Sequence, residues 1–556
     1  MAKRSKEAVL DLNYRRKNRR KTIRSGIQLA ILLAVLLLIG NAVFHVQQYQ
    51  EPHKSSWTSN GGFIALSYFG VDRTGTAALI AKKQLEKQLK ALYDQGYVTI
   101  SQQDIIDYYT QGALLPEKAL FLAFEDGRND SSLYAQPLLE RYNDKATFLS
   151  YANNLVDSDR KFVKPDEMMK MMKSGYWELG SNGYRLTYIN IHEKDGAFIG
   201  MLDENKLPDK SKLSDYNHYL MDFLRDADGI PVEDREEMET RIAADYSAMR
   251  EVYSDKLGYM PKVYMIMHAN ALHKSMNRLV DHANASAIKK LFAIHFNREG
   301  NACNSADGNL YDLTRIQPQP YWQTNHMLMK VQKDCSQIMS FIVGDEERAN
   351  DWTSLSGVAE FVDNRIALTS PAGGAGIYAL ENSSGYRDVS LQTELAGDEM
   401  GTQGVYLRYN PAQASFLRAS IADNKLVIEQ KKPEGEAESL FSAPLKEDQV
   451  EHHLTIRTLK VRVQGERLSA WVDNQEWAKD IKVDGSIADG EIAIFSAAST
   501  LNEKDDIYDG VFDNFEVTSL SSGDLLYSNT LTGIEGALHR LQEAYNRILD
   551  WAIDTF

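Results

Sequence analysis

Residues 85–151 read LEKQLKALYDQGYVTISQQDIIDYYTQGALLPEKALFLAFEDGRNDSSLYAQPLLERYNDKATFLSY. The stretch holds three short apolar runs, at 97–100, 120–124 and 146–150, separated by polar segments long enough for helices. At and just ahead of its start Leu79, Ala81, Leu85, Leu89 and Leu92 recur at helical spacing, which predicts an amphipathic helix over 76–95. Buried runs alternating with helices are the pattern of β/α units around a parallel sheet. Outward from this stretch the alternation extends over 61–345, with further candidate strands at 63–67, 176–180, 263–267 and 291–294. The fold class expected here is α/β, an irregular (β/α) barrel.

From about 351 to 520 the period changes to two. Val461 and Val463, a turn at Gly465-Glu466, then Leu468, Ala470 and Val472 describe a hairpin in a half-buried antiparallel sheet. Strands at 406–409, 415–421, 425–429, 491–496 and 511–517 are enough for a jelly-roll β-sandwich, an all-β domain after the barrel. Thr532 and Glu535 make a capping box before an amphipathic helix whose face carries Ile534, Leu538, Leu541, Tyr545, Ile548 and Ala552. That face is expected to dock on its own sandwich or on a partner helix.

The N-terminus is of another kind. Residues 1–26 carry ten Lys or Arg against Glu7 and Asp11, a local charge of +8 that leaves −24 for the rest of a chain whose formal net charge is −16. Residues 27–46, IQLAILLAVLLLIGNAVFHV, hold no formal charge. Twenty residues at about 1.5 Å each span a bilayer core of about 30 Å, so 27–46 is expected to be a single transmembrane helix. The basic flank is then cytoplasmic and the rest extracytoplasmic, in the cell membrane. A cleaved signal peptide is the other reading, against which stand the length of the apolar run and the lack of an A-x-A-like site. An acidic body argues against a nucleic-acid partner. The organisation expected is 1–26 tail, 27–46 membrane helix, 47–345 barrel with an insertion at about 184–250, 346–520 sandwich and 521–556 helix. Cys303 and Cys335 are the only cysteines, enough for one disulfide but not for a framework or a zinc site of their own.

Active sites of β/α barrels lie at the C-terminal ends of the strands. The residues following the predicted strands are Tyr68, Glu125 with Asp126, Asn153 with Asn154, Asn182, His268 and His295. Two carboxylates and two histidines on one face suit acid–base or metal chemistry, although ordinary loop hydrogen bonding uses the same groups. In the insertion, Arg225 to Gly229 lacks the ligand order of a calcium loop. The acidic segment 233–248 is expected to lie over the barrel mouth as a lid or to be a solvated face.

The quoted run resembles the polysaccharide deacetylase (NodB-homology) family of carbohydrate esterases. Its Ala123-Phe124-Glu125-Asp126-Gly127 stands where the family has a TFDDG-type motif, and Lys145-Ala146-Thr147-Phe148-Leu149 is similar to the strand that follows. Residues 166–182, DEMMKMMKSGYWELGSN, resemble the approach to the family's second motif, GSHxxxH. The resemblance implies a general base at Glu125 and a divalent-metal ligand, for a metal such as zinc, at Asp126. It also implies that the two histidine positions are filled by Asn182 and Leu186, which breaks the usual metal site. Either His268 and His295 join Asp126 in a rearranged centre, or the barrel binds glycan, with Tyr68, Asn153, Asn182, His268 and His295 as substrate contacts. Glycoside hydrolysis by Glu125 with Glu178 is a minor third reading, since adjacent carboxylates point apart. The segment 511–517, VFDNFEV, is similar to the closing strand of concanavalin-like lectin modules, and Tyr378, Tyr386, Tyr406 and Trp471 are candidate sugar-stacking aromatics. The function expected is a membrane-anchored, extracytoplasmic polysaccharide deacetylase-like protein acting on an exopolysaccharide or cell-wall glycan, with catalysis reduced or lost. The alternative is a non-catalytic glycan-binding or assembly subunit beside polysaccharide synthase or export proteins.

Overall fold

The computed structural model describes residues 18–33 except 20 and 31, residues 47–533 except 157, 158, 208, 209, 267–275, 447–449 and 451, and a few positions between 536 and 545. Strands β1 (Phe63–Tyr68), β2 (Ala119–Phe124) and β3 (Ala146–Tyr151) are buried along their whole length. Continuous apolar runs become such strands when a parallel sheet is covered on both faces. They pair in parallel, Ser67 opposite Ala123 and Phe124 opposite Phe148. The sheet continues through β4 (Trp177–Gly183), β5 (Val263–Met265), β6 (Ile294–Glu299) and β7 (Leu313–Arg315). Cys303–Asn304 adds antiparallel to β1 and Val98–Thr99 flanks β2. A parallel bridge between Leu66 and Ile316 brings the end of β7 back to β1, so the sheet nearly closes into a barrel.

Alternation sorts the side chains into two shells. Phe63, Ala65, Phe121, Ala123, Leu149, Met265 and Phe296 fill the interior, while Leu66, Tyr68, Leu122, Phe124, Phe148 and Tyr264 pack outward with helix residues such as Leu85 and Leu89. The helix expected over 76–95 is shorter, Lys82–Asp94, because Ile80–Ala81 pairs as a strand with Val71–Asp72. The strand expected at 291–294 starts three residues later, because Arg278–Leu291 is helical up to that point.

The insertion forms a three-stranded antiparallel sheet, Thr187–Glu193, Phe198–Asp203 and Leu213–His218, followed by the helix Arg235–Leu257. That helix has an Asp234/Glu237 capping box and ends at Gly258 in the left-handed region. It corrects the expected lid: Met238, Ile242, Tyr246, Met249 and Tyr253 bury it in the outer helix layer, and the Tyr253 hydroxyl donates to the Ser150 carbonyl at 2.6 Å.

Beyond Trp352 two facing antiparallel sheets enclose one core. The expected hairpin is present, Leu454–Gln464 against Arg467–Val472 with Val461 opposite Ala470 and Val463 opposite Leu468. Of the candidate stacking aromatics, Tyr406 is buried against Tyr409, Phe416 and Phe495, and Tyr378 and Tyr386 pack on the sandwich core. Trp471 remains half-buried on the outer sheet face. Cys303 and Cys335 are free thiols in hydrogen-bond contact. Among the described residues no helix is long and apolar enough to cross a membrane. Most of 27–46 and of the expected C-terminal helix lies outside the described residues.

Barrel and sandwich are joined through the helix Thr324–Cys335. His326, buried, meets Asp509 through Nδ1 and Asp505 through Nε2, both at 2.9 Å, with Trp322 stacked on its ring. The Gln323 backbone N–H donates to Asp509 at 2.7 Å, and Lys333 pairs with Asp506 at 2.7 Å.

Candidate active site at the barrel mouth

The end of β2 turns through Asp126 and Gly127, both at positive φ. At Gly127 a Cβ would stand 2.9 Å from the Ser150 Cβ, so only glycine lets the turn press against β3. This directs Glu125 into the barrel, where it is fully buried. Its carboxylate accepts from the Ser67 hydroxyl, from Asn182 Nδ2 at 3.2 Å and from Gln317 Nε2 at 3.2 Å. Buried Arg315 faces it at 3.6 Å and also donates to the Ile266 carbonyl. The four groups come from the ends of β1, β4 and β7, which the barrel's closure brings to one point.

Asn182 is engaged on both ends of its amide. Its oxygen accepts the Asp126 backbone N–H at 3.0 Å, and its nitrogen donates to Glu125 and to the Met265 carbonyl at 2.9 Å. Asp126 forms an ion pair with Arg128 at 2.8 Å. Burial pushes the Asp126 carboxyl up to about 6, and the Arg128 and Lys161 charges keep it from rising further. Replacing Arg128 by alanine is expected to move the Asp126 midpoint upward from about 6, so that the group is mostly protonated at neutral pH. Carboxyl chemical shifts followed by NMR against pH check this, and an unmoved midpoint would refute it. Beside the pair stands Tyr151, buried, whose hydroxyl has no hydrogen-bond partner among the described residues. Burial, aided by the Asp126 and Glu125 charges, pushes its pKa well above the ordinary phenol range, so it stays protonated and a donor.

Tyr68, His295 and Glu178 lie away from Glu125. Tyr68 belongs to the outward-facing parity of β1: it stacks on Phe124, and its hydroxyl donates to Gln88 at 2.9 Å in the helix layer. His295 likewise faces outward, stacked on Tyr264 at 5.1 Å and paired in register with it. Asn153 sits in the short helix Ala152–Leu155, its N–H donating to the Tyr184 carbonyl. His268 lies outside the described residues. Glu178 is at the opposite end of β4, accepting the Gln102 N–H at 2.8 Å, which removes it as a partner for Glu125. Ser67, Arg128, Tyr151, Arg315 and Gln317 are the additions that sequence reasoning missed. A serine at the inward parity of a buried strand end, Ser67, is the signal available for one of them.

The residues at the family's metal positions do not fit a His/His/Asp centre. Asp126 is neutralised by Arg128, the Asn182 amide is spent on protein groups, and Leu186 packs against the insertion's own apolar cluster of Tyr188, Ile191 and Leu213. Among the described residues no three His, Cys, Asp or Glu side chains converge as a metal site.

Residues 113–277 match the polysaccharide deacetylase family. The polysaccharide-deacetylase-type protein YxkH of Bacillus subtilis (strain 168) is 25% identical over 130 residues, 23% of this chain, and the match spans less than half, 46%, of that relative's length. Among solved structures, a de-N-acetylase from Aggregatibacter actinomycetemcomitans aligns at 19% identity and a TM-score of 0.36, over 46% of this chain and 95% of that one. The BpsB deacetylase domain from Bordetella bronchiseptica aligns at 17% identity and a TM-score of 0.36, over 48% and 98%. The chain carries a polysaccharide deacetylase domain.

Proposed function

We propose that this domain binds a polysaccharide chain at its barrel mouth and that metal-dependent deacetylation has been given up. The observation that carries this is the use of every metal-position group by the protein itself: Asp126 by Arg128, and Asn182 by Glu125, Met265 and the Asp126 N–H. A deacetylase of this type activates water and polarises the acyl oxygen through its metal, so a base alone does not complete the reaction. What the mouth still holds is a buried donor, the Tyr151 hydroxyl, which has no hydrogen-bond partner among the described residues and suits an acyl or sugar oxygen. With the apolar, uncharged run 27–46 behind a basic flank, the proposal extends to a single-pass anchor that holds both domains outside the cytoplasm. In that setting the protein retains an exopolysaccharide or cell-wall glycan beside the proteins that make or export it.

The full chain, purified in detergent and exposed to zinc, is expected to hold no stoichiometric divalent metal and to release no acetate from N-acetylhexosamine oligomers. It is expected to bind those oligomers equally with and without a chelator. Bound zinc together with acetate release, both lost in His268→Ala or Asp126→Ala, would overturn the proposal and restore a rearranged metal centre.

A further inference from the structure

A cavity of about 1070 Å³ lies between the barrel mouth and the sandwich. It lies at the upper end of the roughly 300–1,000 Å³ of ligand sites, room for more than one sugar ring. One wall is the chain just after β7. Arg315 and Gln317 reach Glu125, the Gln319 side chain donates back to the Gln317 carbonyl at 2.8 Å, and Tyr321 stacks on His452 of the sandwich, ring centroids 5.8 Å apart and nearly parallel. The five residues from Gln317 to Tyr321, ending in a turn where the Trp322 N–H donates to the Gln319 carbonyl at 3.0 Å, therefore connect the proposed site to the second domain. Glu503 and Lys504, both exposed, form part of the sandwich side of the cavity.

We infer that this cavity is the polymer-binding groove of the protein, in which sugar units beyond the one at the barrel mouth are held jointly by barrel and sandwich. The inference rests on the glycan-binding reading above. The lining combines amides, a hydroxyl-rich loop at Thr74 and Thr76, and the aromatic rings of Tyr321 and Trp322. Rings that are apolar on their faces and hydroxylated at their edges match such a lining, whereas a lipid chain would leave its polar groups unpaired. Glu503 and Lys504 put both charge signs at the exposed part of the lining, which favours a neutral polymer over a polyanion. The walls are also fixed in advance. The His326 contacts to Asp505 and Asp509 and the Lys333–Asp506 pair tie the barrel side to the sandwich side, so ordering the groove costs little when the polymer binds.

The test compares binding of a disaccharide and a decasaccharide of N-acetylhexosamine to the full chain. The long probe is expected to bind about tenfold or more tightly than the short one, as one or two added ring contacts would give. That ratio is expected to fall to about one in Tyr321→Ala, and also in Lys504→Trp, which fills the groove from an exposed position and keeps the test valid if the first variant does not fold. Equal affinity for both probes in the wild type, or a preserved ratio in Lys504→Trp, would overturn the groove. Binding of the long probe alone, lost in Lys504→Trp, would uphold the groove and remove the barrel-mouth reading; no binding of either probe would remove both.

Discussion

His326→Ala is expected to lower the stability of the folded chain by about 3–5 kcal/mol, the usual cost of removing one member of a buried ionic cluster. The substitution leaves Asp505 and Asp509, both buried, without the cation that lies 2.9 Å from each. Thermal or urea unfolding of variant and wild type measures the loss, and an unchanged midpoint would mean that the two carboxylates find other partners. The same triad sets a pH dependence. Burial pulls His326 down, but the Asp509 and Asp505 carboxylates outweigh it and push the imidazole up to about 9. An unfolded histidine titrates near 6.5, so the folded state gains protonation and its stabilisation is complete below about 6.5. It is lost as pH rises through about 9, by about 3 kcal/mol in all. Asp505 acts in the other sense: burial raises it, the His326 charge and hydrogen bond outweigh that, and its carboxyl is lowered. Its contribution is present above about 4 and fades on acidification. The joint between the domains is therefore strongest in mildly acidic solution, and His326→Ala should flatten the alkaline limb specifically.

What the sequence discloses and what it hides follow from the same barrel. Fully buried strands are legible because parallel strands under helices are apolar at every position, as at Phe121 and Leu122. The short strand Leu313–Arg315 is not, since three residues carry no period, and with it went Arg315 and Gln317, the groups that close on Glu125. Glu125, Asp126 and Asn182 are legible because a motif fixes them to a turn and a strand end. Counting one residue beyond a predicted strand places Tyr68 and His295 at the mouth, but each strand runs on, and parity then sends the side chain outward. The helix Arg235–Leu257 looked solvated because Glu236, Glu237 and Glu239 dominate its start. Met238, Ile242, Tyr246, Met249, Tyr253 and Leu257, spaced three and four apart, carry the buried stripe.

Glu125→Leu is expected to cost about 3 kcal/mol, because it leaves the buried Arg315 guanidinium with Glu299, 3.7 Å away, as its one remaining carboxylate and leaves Ser67, Asn182 and Gln317 without their shared acceptor. Glu125→Gln keeps the shape and one acceptor oxygen, so its cost should be smaller, yet it still removes the charge opposite Arg315. The pair is separated by a double-mutant cycle with Arg315→Met. If Glu125 serves to hold the mouth together, Glu125→Leu with Arg315→Met should recover a large part of the loss, since an apolar pair replaces a buried ionic one at little cost. If each substitution instead costs the same whether or not the other is present, the carboxylate is not engaged by the arginine, and the reading of Glu125 as an internal counter-ion fails. The distinction matters chemically. A general base must hand its lone pair to a water or hydroxyl, whereas this carboxylate accepts from a hydroxyl and two amides and faces a guanidinium, which leaves little of it for a substrate. The strength of that coupling measures how far this carboxylate is part of the scaffold.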